Sequence, residues 1–387
     1  AVGSQAMNRV TTGHSNTALG VDSLKHSQTG NYNTALGAKA MMDEAITGDS
    51  NTAVGYFSMR NLENGAGNVA VGYRTLYECT SGTTNVAIGF DTLLSLTTGS
   101  NNTAVGDRAG DAITTAEENC AFGKSSLGAQ TTGNFNVAVG NSALSASTTG
   151  YGNTALGKGS GQAITTGYAN TLLGRQTGQT MTTGHNCSYV GAMSGEYATG
   201  NENTAIGYYS MRAQNGSGTG SYNTAIGNES LELLTSGEQN CAIGRMCLHS
   251  LTTGDYNVAV GNRSGDQITT ADNNTYVGYN SGYLTTTGRS NTGLGWRSLY
   301  NTTTGEYNTA LGDSALHANT TGSNNIAIGY QAGDAITTGS NNIVIGQAAA
   351  ASAVNVSNEI TLGNTSITKF RIPGLNFSLK DTTATDN

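Results

Sequence analysis

"TTGSNNTAVG", Thr97–Gly106, decides the fold because it keeps returning. Thr131–Gly140 reads "TTGNFNVAVG", Thr252–Gly261 "TTGDYNVAVG" and Thr337–Gly346 "TTGSNNIVIG". The glycine closing each phrase, as at Gly106, Gly140, Gly261 and Gly346, occurs 22 times between Gly3 and Gly363, and 18 of the 21 intervals are 17 residues. A short fixed period specifies a solenoid, whose repeats bury their apolar side only by stacking on one another. The TTG glycine stands seven residues before the closing one. Three intervals are irregular: 18 residues from Gly37 to Gly55, 16 from Gly191 to Gly207 and 20 from Gly207 to Gly227. All three keep the seven-residue spacing, so length varies only in the other half of the repeat.

Positions are counted here from the closing glycine. Position −1 is always apolar, −3 is Thr, Val, Ile, Cys or Ser, −2 is mostly Ala, and −4 is Asn in 19 of the 21 complete copies. Alternation with β-branched residues predicts one short strand per repeat, and stacked strands of this kind form a parallel sheet. At ~4.8 Å per coil, 21 coils give a rod of roughly 100 Å. Position +3 is small throughout, and +4 is Leu, Met or Gly as far as Gly333. Where +4 is Gly, an Ile often follows three places on (Ile113, Ile164, Ile268, Ile336). This predicts that Leu and Ile fill one interior slot by different loop paths, with about three apolar side chains per coil. The Ala ladder at −2 is expected to lie against another copy of the chain.

The bulk composition fits such an object and excludes others. Of 387 residues, 55 are Gly and one is Pro; 11% are charged and 6% aromatic. A disordered chain would carry high net charge and much Pro. A net charge of −8 without a Lys/Arg run excludes the electrostatic footprint of nucleic-acid binding. No apolar stretch approaches the ~20 residues of a membrane helix, so no membrane insertion is expected.

"NVAIGFDT" (Asn85–Thr92), "NTAIGNES" (Asn223–Ser230) and "NIAIGYQA" (Asn325–Ala332) resemble the head repeats of trimeric autotransporter adhesins. That resemblance implies a left-handed parallel β-roll in a homotrimer, although the repeat here is longer in its loop half. The TTG-rich variant looks more like phage tail fibre proteins. So does the end, "EITLGNTSITKFRIPGLNFSLKD" from Glu359, which resembles the segment preceding a self-cleaving intramolecular chaperone domain. The chain opens on "AVG", the end of a repeat, as a piece of something longer would. The expected division is regular solenoid over 1–346, then an irregular last coil and a C-terminal cap or transition segment over 347–387.

No constellation for chemistry stands out. The five His (His14, His26, His185, His249, His317) lack metal-ligand spacing. The five Cys sit at repeat positions; Cys120 and Cys241 share position −3 seven coils apart, roughly 34 Å, too far to pair. Small buried thiols and assembly in a reducing cytoplasm are the expectation. Paired acids such as Glu117–Glu118 could suggest a glycosidase, but they lie in a variable turn. No catalytic residue, metal or cofactor is expected.

Two surfaces remain. Aromatics follow the closing glycine at Tyr56, Tyr73, Phe90, Tyr208, Tyr279, Trp296 and Tyr330; packing at a chain–chain seam is the first reading, glycan stacking the second. The irregular coils Gly191–Gly227 hold Tyr197, Tyr208, Tyr209 and Arg212 beside the inserted loop 213–220, a candidate receptor site with a glycan as one possible ligand. The whole reads as the structural and adhesive shaft of a phage tail fibre, a homotrimer assembled in the host cytoplasm, resident in the virion tail beside other tail proteins and meeting a host cell-surface receptor. The alternative is the head of a bacterial surface adhesin. Ice binding would need T-x-T on one strand face, whereas adjacent Thr pairs point opposite ways.

Overall fold

The computed structural model describes residues 1–43, 45–213, 218–369 and 371. Part of the C-terminal cap or transition segment expected from sequence, 370 and 372–387, lies outside the described residues, as do 214–217 of the inserted loop. The chain is an all-β parallel solenoid with no helix among the described residues. Its 21 strands run from β1 (Thr17–Leu19) to β21 (Ile360–Leu362). Each covers positions −3 to −1, and β4 (Val69–Tyr73) and β5 (Val86–Phe90) continue through the closing glycine. Every strand pairs in parallel with the next, like position on like position, as in Thr17↔Thr34 and Ile345↔Leu362. The irregular intervals leave that register intact: Ser188 pairs with Thr204, and Thr204 with Thr224.

The core differs from the sequence reading in two respects. Position −2 faces inward. Ala35, Ala87, Ala138 and Ala259 have no exposed surface, so the Ala ladder packs inside its own coil and not against another copy. Alternation then turns −3 and −1 outward. The second difference concerns the loop half. Leu93 and Leu96, Leu231 and Leu234, Leu248 and Leu251 are buried in pairs, so +4 and +7 are separate slots. The loop path is also shared: Leu93 (φ 48°) and Gly110 (φ 60°) occupy the same left-handed conformation at +4.

That conformation explains the alternation of Leu and Gly. A left-handed residue with a side chain is strained by about 1–2 kcal/mol, a cost that Gly avoids. Leu fills the interior in return. Where Gly stands, neighbours occupy the space: a Cβ on Gly110 would meet Ile113 Cδ1 and Leu93 Cδ2, both at 2.9 Å. The largest fillers are Tyr189 and Tyr276, fully buried at −2. Each lies against two +4 glycines, Gly178 and Gly195 for Tyr189, Gly265 and Gly282 for Tyr276.

The closing glycine meets two constraints at once. Gly140 has φ 135°, and a Cβ would lie 2.6 Å from the carbonyl oxygen of Gly157 one coil on. Neither is compatible with another residue.

Buried polar groups are satisfied by ladders. Asn85 donates through Nδ2 to the carbonyl of Gly99 (2.9 Å), and its Oδ1 accepts the backbone N–H of Asn102 (2.9 Å). The same pair of bonds repeats at most coils from Asn33 to Asn342, binding the TTG corner to the strand entrance. One rung is different: Cys187 replaces Asn and offers no side-chain carbonyl to Asn203. On another side the first Thr of TT donates its hydroxyl to a Thr carbonyl one coil on, as Thr97 to Thr114 and Thr252 to Thr269.

Candidate functional site

The four residues singled out at the irregular coils do not form one open site. Arg212 is mostly buried and committed. Its Nε donates to Glu196 Oε2 at 2.9 Å, Glu232 lies 3.8 Å from Nη1, and the guanidinium sits over the Tyr209 ring at 4.1 Å and the Tyr197 ring at 5.9 Å. Tyr208 and Tyr209 pack on each other, with ring centroids 3.9 Å apart. Tyr208 keeps an exposed edge. Tyr197, beside the Arg212 guanidinium, also lines a groove with Gln162, Gln179 and Thr180.

Arg212 is one rung of a charged ladder missed in the sequence. Position +5 carries Glu196, Arg212, Glu232, His249 and Asp266 in successive coils. His249 Nε2 stands 3.1 Å from Glu232 and Nδ1 3.9 Å from Asp266, while Arg263 approaches Asp266 at 3.2 Å. Burial pushes the Asp266 carboxyl up from its ordinary value, against the pull of His249 and Arg263. The signal was positional: opposite charges 16 to 20 residues apart at one place in the repeat become direct neighbours on stacking.

The aromatics after the closing glycine are all partly exposed, yet their faces are not free throughout. Tyr56 stacks on Tyr73 (5.8 Å, 17°), and Tyr73 on Phe90 (5.0 Å, 8°). Rings stacked along the rod present edges outward, which does not suit sugar-ring stacking. Beside them runs the −1 ladder. Its most exposed Leu and Ile side chains, placed outward by the register, range from 37% at Ile328 to 52% at Leu156, while Leu36, Leu173 and Ile226 are half-buried.

For catalysis and metals the described residues offer little. No group of three or more His, Cys, Asp or Glu side chains is placed to hold a metal ion among them. All five cysteines are free; Cys79, Cys187 and Cys247 are buried, Cys120 and Cys241 half-buried. Burial pushes the Cys79 thiol up to about 11 and Cys247 to about 12, far from the reactive thiolate range. Glu117 and Glu118 are exposed, and Glu117 is held through its backbone: its N–H donates to Asn134 Oδ1 (2.8 Å), and its carbonyl accepts from Asn119 Nδ2 (3.1 Å) and the Phe135 N–H (3.3 Å). No protein-family model matches the chain, and no curated protein matches it.

Proposed function

We propose that the chain is the shaft of a homotrimeric fibre that carries a host-attachment surface, of the phage tail-fibre type. The observation that carries this reading is the exposed apolar stripe. Leu19, Ile88, Leu156, Ile206, Leu294 and Ile345 sit at one place in the repeat and all face outward, so the stripe follows the sheet from end to end. Monomeric proteins rarely expose contiguous apolar patches beyond a few hundred Å². Three parallel copies around a common axis bury one such stripe per chain and leave the loop halves in solvent. The seam therefore lies at −1 and not at the Ala ladder. The left-handed β-roll belongs to the same proposal and rests on the N-x-A-I-G resemblance to adhesin heads.

Attachment, assembly in the host cytoplasm and residence in the virion tail follow from that assignment. Five free thiols, three of them buried, suit folding in a reducing compartment. Light scattering on the purified chain should return about three times 39.5 kDa. A folded monomer would end the fibre reading. Replacing Ile206 and Leu294 by Asp should dissociate the trimer without unpairing the sheet, since both side chains lie outside the coil.

A further inference from the structure

The corners closed by Gly140, Gly157 and Gly174 leave a cavity of about 250 Å³ between them, lined by Lys158, Gly159, Gln162, Arg175, Gln176 and Gln179. Its origin is one missing side chain. Position +2 is a left-handed residue in each coil, Ser142 (φ 56°) before the cavity and Gln176 (φ 56°) after it. Gly159 (φ 66°) stands between them. A Cβ there would lie 3.4 Å from Gln162 Oε1 and 3.7 Å from Gln176 Cγ, ordinary contact distances. The glycine thus contributes open space that its neighbours' side chains would fill.

The chemistry of the lining is one-sided. Lys158 and Arg175 occupy +1 in successive coils, and neither pairs with a carboxylate among the described residues. Other cations of this acidic rod are paired, as in Arg74–Asp91, Lys124–Asp107 and Arg289–Glu306. Lys39, Arg108, Arg245 and Arg297 are not, but among the described residues no other two unpaired cations stand at one repeat position in successive coils. The amides are ordered by a relay. Arg175 Nη1 donates to Gln176 Oε1 (2.7 Å), Gln176 Nε2 to Gln179 Oε1 (3.2 Å), and Gln179 Nε2 to Gln162 Oε1 (3.3 Å). Each donor passes in one direction, so the relay ends on the amide NH2 of Gln162. That group has no acceptor among the described residues, and Gln162 lines the cavity. The groove then continues past Gln162 and Gln179 to Tyr197.

We propose that this groove binds an acidic sugar, with its anionic group held between Lys158 and Arg175 and its hydroxyls on the Gln162, Gln176 and Gln179 amides. Cations with free donors favour carboxylate or phosphate oxygens, and the cavity is just below the ~300–1,000 Å³ of drug-sized sites, suited to a single sugar ring. A glycan chain bearing that ring leaves along the groove toward Tyr197. The proposal deepens the attachment reading and rests on it for its biological use; the binding chemistry itself stands apart.

The test is calorimetric titration of the intact chain with glucuronic acid, glucose 6-phosphate and glucose. Saturable binding of an acidic sugar, at least tenfold tighter than glucose and weakened by salt, is expected. Glucuronic acid binding marks a carboxylated glycan and glucose 6-phosphate binding a phosphorylated one. Gly159→Gln, which copies the side chain of Gln176 at the same backbone conformation, should reduce affinity at least tenfold. The double variant Lys158→Gln/Arg175→Gln should do the same, and it decides the matter if the filled variant does not fold. No saturable binding by either acid, equal binding of glucose, or full affinity in the folded variants overturns the site. Binding of the rod to cells separates the two readings: cell binding that survives Gly159→Gln removes this groove and keeps attachment, whereas sugar binding by a rod that adheres to no cell keeps the groove and removes attachment.

Discussion

Tyr189 and Tyr276 occupy the same place in two coils, and only one of them is well served. Both replace the −2 Ala and both are fully buried. The Tyr276 hydroxyl bonds Thr285 Oγ1 at 3.0 Å and Asn274 Oδ1 at 3.4 Å. In the Tyr189 coil the corresponding residues are Cys187 and Ala198, and the Tyr189 hydroxyl has no hydrogen-bond partner. The same substitution of Asn by Cys also removes a rung from the Asn ladder. Yet β11 (Ser188–Val190) keeps its register with both neighbours. Strand pairing and interior satisfaction are therefore separable: backbone ladders hold the rod together where side-chain ladders lapse.

The largest expected effect comes from moving the lapse into the regular coil. Asn274 donates to the Gly288 carbonyl (3.0 Å) and accepts the N–H of Asn291 (2.9 Å). Asn274→Cys should destabilise by about 3 kcal/mol, since the buried Asn291 N–H and Tyr276 hydroxyl lose the Asn274 side-chain carbonyl. A thiol can still meet the Gly288 carbonyl, as Cys187 Sγ meets that of Gly200 (3.4 Å). The reverse change, Cys187→Asn, should raise stability by about 1 kcal/mol, because the Tyr276 coil shows that Asn and a buried Tyr fit together. Thermal melts of both variants check the pair, and a loss in both would show that the Tyr189 coil cannot hold the amide.

The closing glycines of the same two coils should respond alike. Gly191 (φ 127°) and Gly278 (φ 138°) both sit against the next coil's glycine, so Ala at either costs about 2 kcal/mol. Unequal melting shifts would tie the corner to the interior. The smallest effect separates the tyrosines. Tyr276→Phe should cost about 1 kcal/mol and Tyr189→Phe should be neutral or slightly stabilising; equal losses would mean that the Tyr189 hydroxyl is satisfied in solution.

Much of this was readable in the phrase N-x-A-x-G. The strands, their parallel pairing and the two glycine corners all follow from period and alternation. The direction of the faces did not follow. Alternation says that −2 opposes −1 and −3, and the apolar −1 drew the core toward itself. In a coil this thin the inward position is mostly Ala, and +4 glycines admit the larger Leu172, Tyr189, Tyr276 and Val344 beside them. The Asn at −4 was visible in 19 copies, but its meaning depends on a carbonyl 14 residues on, in the next coil. The acidic-sugar groove is harder still. It combines three coils, and its one local sign is "KGSGQ" at Lys158–Gln162, with a glycine at +2 where its neighbours carry side chains. The charged ladder at +5 likewise appears only when the sequence is cut at each closing glycine and stacked.

Stacked strands lying across the rod also determine what the molecule does under load. Pulled by its two ends, the chain is not sheared along many hydrogen bonds at once; the terminal coil peels away from its neighbour a few bonds at a time. Each 17-residue coil then releases about 55 Å of slack, from ~3.3–3.6 Å per extended residue less the ~4.8 Å it occupied. Single-molecule extension should give a sawtooth of that step, and a single high-force rupture would contradict peeling. Such an object yields by lengthening in small increments and re-forms from whatever coils remain.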